Sequence, residues 1–181
     1  MRLFVAIELD EPFRNGLVEL QGALRRVEPE ISYTRPENLH LTLKFIGEFE
    51  ETKVPELWEG LSKISKVGAF AMNLSGLDFL PERGPIRIIA AAIDGGEKLI
   101  ALQAAIEGAC AAQKIPKENR RYRPHITLAR VRRPLRRSAK ARFVEAAPVR
   151  VIESQVKEFV LMQSKLSNKG SQYVVLQHVT L

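Results

Sequence analysis

The stretch RPENLHLTLKFIGE, residues 35–48, alternates from Leu39 to Phe45: Leu39, Leu41, Leu43 and Phe45 fall on one side, His40, Thr42 and Lys44 on the other. A period of two marks a half-buried β-strand, so a histidine and a threonine leave the apolar face together. The arrangement returns in RPHITLAR, residues 123–130, where Arg-Pro again leads into histidine, an aliphatic residue, threonine and leucine. Here His125, Thr127 and Ala129 share one expected strand face, and Ile126 and Leu128 the other. The spacing from His40 to His125 is close to half of the 181 residues, which reads as an internal duplication.

A third copy, HVTL, occupies residues 178–181, so each of the 3 histidines sits in such a tetrapeptide. This copy lacks the Arg-Pro entry, and its expected strand face also carries Val174 and Leu176. We read His178 as a structural or surface histidine, its motif reflecting the strand preference of Val, Thr and Leu.

Between these anchors the chain alternates strands and helices. Residues 2–8 alternate and read as a strand rather than a signal sequence. Asp10 is a candidate N-cap and Pro12 fits the first turn of a helix over Phe13 to Val27, with Phe13, Leu17, Leu20 and Leu24 on one face. A short strand is expected around Ile31 to Thr34, and helices over Thr52 to Ser65, Glu97 to Gln113 and Ser138 to Ala146. Extended segments at Phe70 to Phe79 and Ile86 to Ile93 bracket the turn-like PERGP. Arg133-Pro134 is expected to break the strand of the second motif. Val149 to Met162 and Tyr173 to Thr180 read as two strands joined by a turn at Asn168 and Gly170.

Composition narrows the function classes. With 45% hydrophobic residues the chain supports a sizeable core, and no apolar run approaches membrane-spanning length. One cysteine, Cys110, forms no disulfide within the chain and suits a reducing cytoplasm, the expected location. The net charge of +7 is uneven: residues 114–142 hold twelve Lys and Arg against one acid, Glu118, leaving the rest of the chain net negative. A positive field running through the second motif points to a phosphate-bearing partner.

Two histidines facing each other from two halves suit displacement at phosphorus. The nucleophile enters opposite the leaving oxygen, so one imidazole accepts a proton on one side while the other donates on the far side. The threonine two residues along projects beside each ring and offers a hydroxyl to the phosphate oxygens. No metal or other cofactor is needed for this scheme. One competing reading is a zinc hydrolase with all three histidines on the ion, although no HExxH or clustered carboxylates accompany them. Another is a non-catalytic RNA-binding module built on residues 114–142.

The two motifs with their flanks, the opening MRLFVAIEL, and the tail LMQSKLSNKGSQYVVL resemble the 2H phosphoesterase superfamily, in particular its 2'-5' RNA ligase or RNA 2',3'-cyclic phosphodiesterase branch. The resemblance implies an α+β, bilobal, internally duplicated fold with an antiparallel sheet and helices in each lobe and a central cleft, all in one domain over residues 1–181. It implies hydrolysis of an RNA 2',3'-cyclic phosphate to a 2'-phosphate, with 2'-5' joining as the reverse. His40 would protonate the departing 3' oxygen, His125 would activate water, and Thr42 and Thr127 would hold phosphate oxygens. Arg130 matches an arginine near the phosphate, although strict alternation turns it away from His125 unless the strand bulges or ends there. Phe45 stands where the family offers an aromatic surface to a base, although its parity with Leu41 and Leu43 favours the core. The expected partner is RNA ending in a cyclic phosphate, acted on by a monomer that associates with no membrane.

Overall fold

The computed structural model describes residues 1–64, 67–147, 152–168 and 170–181. The first strand, β1 (Arg2–Glu8), leads into helix α1 (Glu11–Val27), where the Asp10 carboxylate accepts the backbone N–H of Phe13 and caps the first turn. The expected apolar stripe of α1, Phe13, Leu17, Leu20 and Leu24, is buried. The chain continues through β2 (Ser32–Tyr33), β3 (His40–Glu48), α2 (Val54–Ser62), β4 (Phe70–Leu80), β5 (Ile86–Asp94) and α3 (Gly96–Ala112). It closes with β6 (His125–Leu135), α4 (Lys140–Ala146), β7 (Glu153–Val156), β8 (Glu158–Ser167) and β9 (Gly170–Thr180).

These strands form two antiparallel sheets, ordered β3-β1-β8-β9 and β2-β6-β5-β4-β7. The duplication is visible in the register. Glu8, Ala6 and Phe4 of β1 face His40, Thr42 and Phe45 of β3, while Ala92, Ala90 and Ile88 of β5 face His125, Thr127 and Arg130 of β6. In each half a helix, α1 or α3, connects the paired strands. The fold is therefore α+β, with a motif strand in each of two sheets.

Both motif strands carry a β-bulge at the same place. Leu43 and Leu128 are the extra residues, lying between the paired Thr42 and Lys44, and between the paired Thr127 and Ala129. A bulge adds one residue to the strand and shifts its inside-outside parity. Leu43 and Lys44 are accordingly both buried, as are Leu128 and Ala129, and the following Phe45 and Arg130 return to the histidine face. The core position that alternation favoured for Phe45 is thus overturned: its side chain is 70% exposed. Ala129 likewise leaves the His125 face on which alternation put it.

Three further expectations change. β6 runs through Pro134 rather than breaking there, and β2 pairs with it only at Ala129 and Arg130, so Pro134 lies beyond the β2 ladder, where a missing N–H costs nothing to that pairing. The single expected strand ending at Met162 is two, β7 and β8, which belong to different sheets; its start at Val149 lies outside the described residues. The helix expected from Thr52 is a 3-10 turn at Glu51–Lys53 followed by α2, and its expected end at Ser65 lies outside the described residues. Lys169, between Asn168 and Gly170 of the β8-β9 turn, does too.

One buried apolar cluster runs through both halves, including Leu3, Val5, Leu41 and Leu43 from one sheet and Ile89, Ala91, Ile126 and Leu128 from the other. A small cluster of Phe4, Ala6, Val160 and Met162 covers the opposite face of the first sheet, with Tyr173 and Val175 against it. No helix among the described residues is long and apolar enough to cross a membrane.

The bulge makes a measurable contrast. Leu41→Ala should cost about 2–5 kcal/mol of unfolding free energy. Phe45→Ala should cost about 1 kcal/mol or less, whereas an unbulged strand would make it about 3–5 kcal/mol. Urea unfolding of the two variants checks this.

Candidate active site

His40, Thr42, His125 and Thr127 line one cavity of about 400 Å³ between the sheets, together with Phe45 and Arg130. All six residues singled out from the sequence therefore meet there. The bulges bring in the last two: Phe45 and Arg130 occupy equivalent positions in the two halves, one aromatic and the other cationic.

The two rings are held in the same way. His40 Nδ1 lies 2.8 Å from the carbonyl oxygen of Asn38, and His125 Nδ1 lies 2.7 Å from that of Arg123. A carbonyl only accepts, so each Nδ1 carries the proton and donates it in both charge states. That leaves Nε2 as the nitrogen that gains and loses a proton, and fixes the ring plane through the residue two positions earlier.

Their surroundings differ. The His40 ring lies 5.0 Å from the Phe4 ring and 5.1 Å from that of Tyr173, centroid to centroid, the latter edge-on at 86°. Phe4 and Tyr173 meet edge-on at 5.0 Å. This burial pushes the His40 imidazole below its ordinary value of 6.5; the Asn38 hydrogen bond opposes the shift, and the Arg130 charge adds to it. A cation on the second motif thus acts on the histidine of the first.

Reading the sequence did not single out several other residues lining the cavity: Arg2, Phe4, Thr34, Asn38, Ser164 and Tyr173. Phe4 had a signal, since alternation in β1 puts it with Ala6 and Glu8 away from the core. Tyr173 had none. It arrives because β9 is two strands from β1, with Tyr173 opposite Ser164 and Ser164 opposite Arg2. The Asn38 side chain donates to the Ser171 carbonyl at 2.9 Å and ties the entry to β3 to β9.

His178 is not among the residues lining the cavity. It pairs across the sheet with Val160 rather than sharing the expected face with Val174 and Leu176, and its Nδ1 is 3.2 Å from Glu158 Oε1. Glu8, Glu158 and His178 have ligand-type atoms within 4.8 Å of one another, and all three are exposed. The three imidazoles therefore do not converge on one point, as a zinc site using all of them requires.

Because its folded value is depressed, His40 adds stability above its ordinary range, and this is lost as pH falls through the folded value. The expected NMR titration of the ring protons has a His40 midpoint below 6.5. Arg130→Gln should move it upward by removing a repelling charge. A native midpoint at or above 6.5 would contradict the aromatic enclosure.

With this geometry in place, comparison with other proteins identifies the family. Residues 7–90 and 92–173 match the family described as LigT like Phosphoesterase. An RNA 2',3'-cyclic phosphodiesterase of Thermus thermophilus is 33% identical over all of this chain and 90% of its own length. One from Methanothermobacter thermautotrophicus is 29% identical, over 98% of this chain and 97% of that one. A crystal structure of a Thermus thermophilus protein superimposes with a TM-score of 0.84 at 30% identity, covering 100% of this chain and 98% of the other. Since the family match takes in both motif strands and nearly all of what lies between and around them, this chain belongs to the LigT-like phosphoesterases, an enzyme family.

Proposed function

We propose that the protein hydrolyses the 2',3'-cyclic phosphate at the end of an RNA to a 2'-phosphate, with His40 and His125 as acid and base and no metal ion. The observation carrying this reading is the matched hold on the two rings: both Nδ1 atoms donate to the carbonyl two residues back, and both rings line one cavity. The names of the relatives support the substrate class.

In this mechanism His125 Nε2 takes a proton from water as the water oxygen bonds to phosphorus. The bond from phosphorus to the 3' oxygen breaks, and His40 Nε2 gives that oxygen its proton. The products are a 2'-phosphomonoester and a free 3'-hydroxyl, and proton exchange with solvent resets both rings. Thr42 and Thr127 donate hydroxyl hydrogen bonds to the non-bridging oxygens, and the Arg130 guanidinium balances the charge that builds there. Phe45, exposed at the rim, offers its ring to the terminal base. A depressed His40 is a stronger acid once protonated, and the bound phosphate anion restores its proton by attraction and by engaging Arg130. A 5'-hydroxyl in the water's place would join two RNA ends through a 2'-5' bond.

Both lobes supply half of this site, so residues 1–181 act as one bilobal domain and a monomer suffices. Cytoplasmic RNA is the substrate pool consistent with the buried, unpaired Cys110.

The test is incubation of metal-free protein with an RNA ending in a cyclic phosphate, followed by identification of the phosphomonoester. The expected product is the 2' isomer, with a bell-shaped pH profile. Turnover should fall by about 10² to 10⁴ in His40→Ala and in His125→Ala, while His178→Ala stays near wild type. A substrate whose 3' leaving atom is sulfur needs no proton donor, so it should restore His40→Ala and not His125→Ala. RNA binding by wild type with no turnover would instead favour the non-catalytic module.

A further inference from the structure

We propose that Lys44 with Glu107, and Gln21, are positioning residues: two crossed braces that set how the two histidine strands face each other across the phosphate. This rests on the reading of His40 and His125 given above and extends it to residues that touch neither ring.

Each brace joins a bulge to the helix of the other half. Lys44 follows Leu43 in the first bulge and is only 5% exposed. Its ammonium donates to Glu107 Oε2 on α3 at 2.9 Å and to the Pro116 carbonyl at 2.7 Å. In the mirrored place, Gln21 of α1 is 4% exposed, and its amide donates to the Leu128 carbonyl of the second bulge at 2.9 Å and to the Thr34 carbonyl at 2.8 Å. The Leu128 carbonyl also accepts the Thr34 N–H at 2.8 Å. Gln21 and Glu107 both lie past the middle of their connecting helices, α1 and α3, though one residue out of step with the offset between the motifs.

The Lys44 brace reaches the second histidine through the segment that enters β6. Pro116 opens the segment that enters β6, and Tyr122 in that segment donates its hydroxyl to the Thr42 carbonyl at 3.0 Å. Burial pushes the Tyr122 phenol up, so it remains a donor through the working range. The next residue, Arg123, supplies the carbonyl that orients His125. The first motif strand, through Lys44 and the Thr42 carbonyl, thereby holds the two ends of the segment that places the second ring. A buried lysine at a strand bulge is costly unless every proton on its head group has an acceptor, and a displacement of about 1 Å at the reacting centre is worth about a hundredfold in rate.

The experiment uses three variants of the full chain: the double variant Lys44→Met with Glu107→Leu, which removes both charges together; Gln21→Met; and Lys63→Met as a control. Among the described residues Lys63 forms an exposed pair with Glu59 at 2.8 Å. Assays run below each variant's thermal midpoint. In the double variant and in Gln21→Met we expect kcat on a cyclic phosphate to fall by about tenfold to a hundredfold with KM little changed, and the control to match wild type. Inorganic phosphate followed by histidine ring NMR gives a second reading: in wild type the His40 and His125 signals both move while His178 stays still, and in the brace variants the shift of at least one of the two rings at saturating phosphate shrinks. Folded brace variants with wild-type kcat and wild-type shifts of both rings would overturn the proposal, as would a kcat loss that only tracks loss of folded protein. Wild type that neither turns over a cyclic phosphate nor shifts on phosphate would sink the active-site reading itself, and the braces with it.

Discussion

The site depends on the extra residue that follows the threonine in each of the two motif strands. In an unbulged strand the side chain three places after a threonine points away from it, and Phe45 and Arg130 would be lost to the core side. The extra Leu43 and Leu128 bury two consecutive side chains and return the next to the cavity. A bulge leaves backbone groups without ladder partners, so something must satisfy them. At Leu128 the carbonyl takes the Thr34 N–H and the Gln21 amide, which binds the second motif to residues from the first half of the chain.

On this symmetric backbone the side chains are unequal. Both imidazoles hang from the carbonyl two residues back, yet His40 is enclosed by Phe4 and Tyr173 while the hydrogen bond orienting His125 is exposed. Aromatic walls disfavour a charged ring, and the result is a depressed His40 beside a guanidinium from the opposite motif. At the bulge exits the same inequality places an aromatic ring on one side and a cation on the other. The two arms are alike in backbone and differ in their neighbours, which is the asymmetry that the proposed acid and base roles require.

His178 shows what motif matching alone misses. Its tetrapeptide is as good a match as the other two, but it is carried by β9, two strands from β1, and its ring meets Glu158 instead of the cavity. Entry geometry separates the copies: Arg35-Pro36 leads to Asn38, whose carbonyl orients His40, Arg123 of Arg123-Pro124 itself supplies the carbonyl that orients His125, and no Arg-Pro entry precedes His178.

Periodicity and punctuation determined much of this protein by themselves. β1, α1 with its Asp10 cap, α3, the β4-β5 hairpin and the two motif strands were legible because their signals are local: alternation, a cap, a turn. The pairing of His40 with His125 was legible too, since a repeated motif with like flanks carries its own alignment. What the tertiary structure decided was every feature that needs a partner strand to define it. A bulge is a mismatch between two strands, so the fate of Phe45, Ala129 and Arg130 lay in the register with β1 and β5 and not in residues 40–45 or 125–130 alone. The division of one expected strand into β7 and β8, the arrival of Tyr173 beside His40, and the crossing of Gln21 and Lys44 to the opposite halves have the same origin. They are contacts between residues distant in the chain, and their energies come from burial and hydrogen bonding that no local window contains.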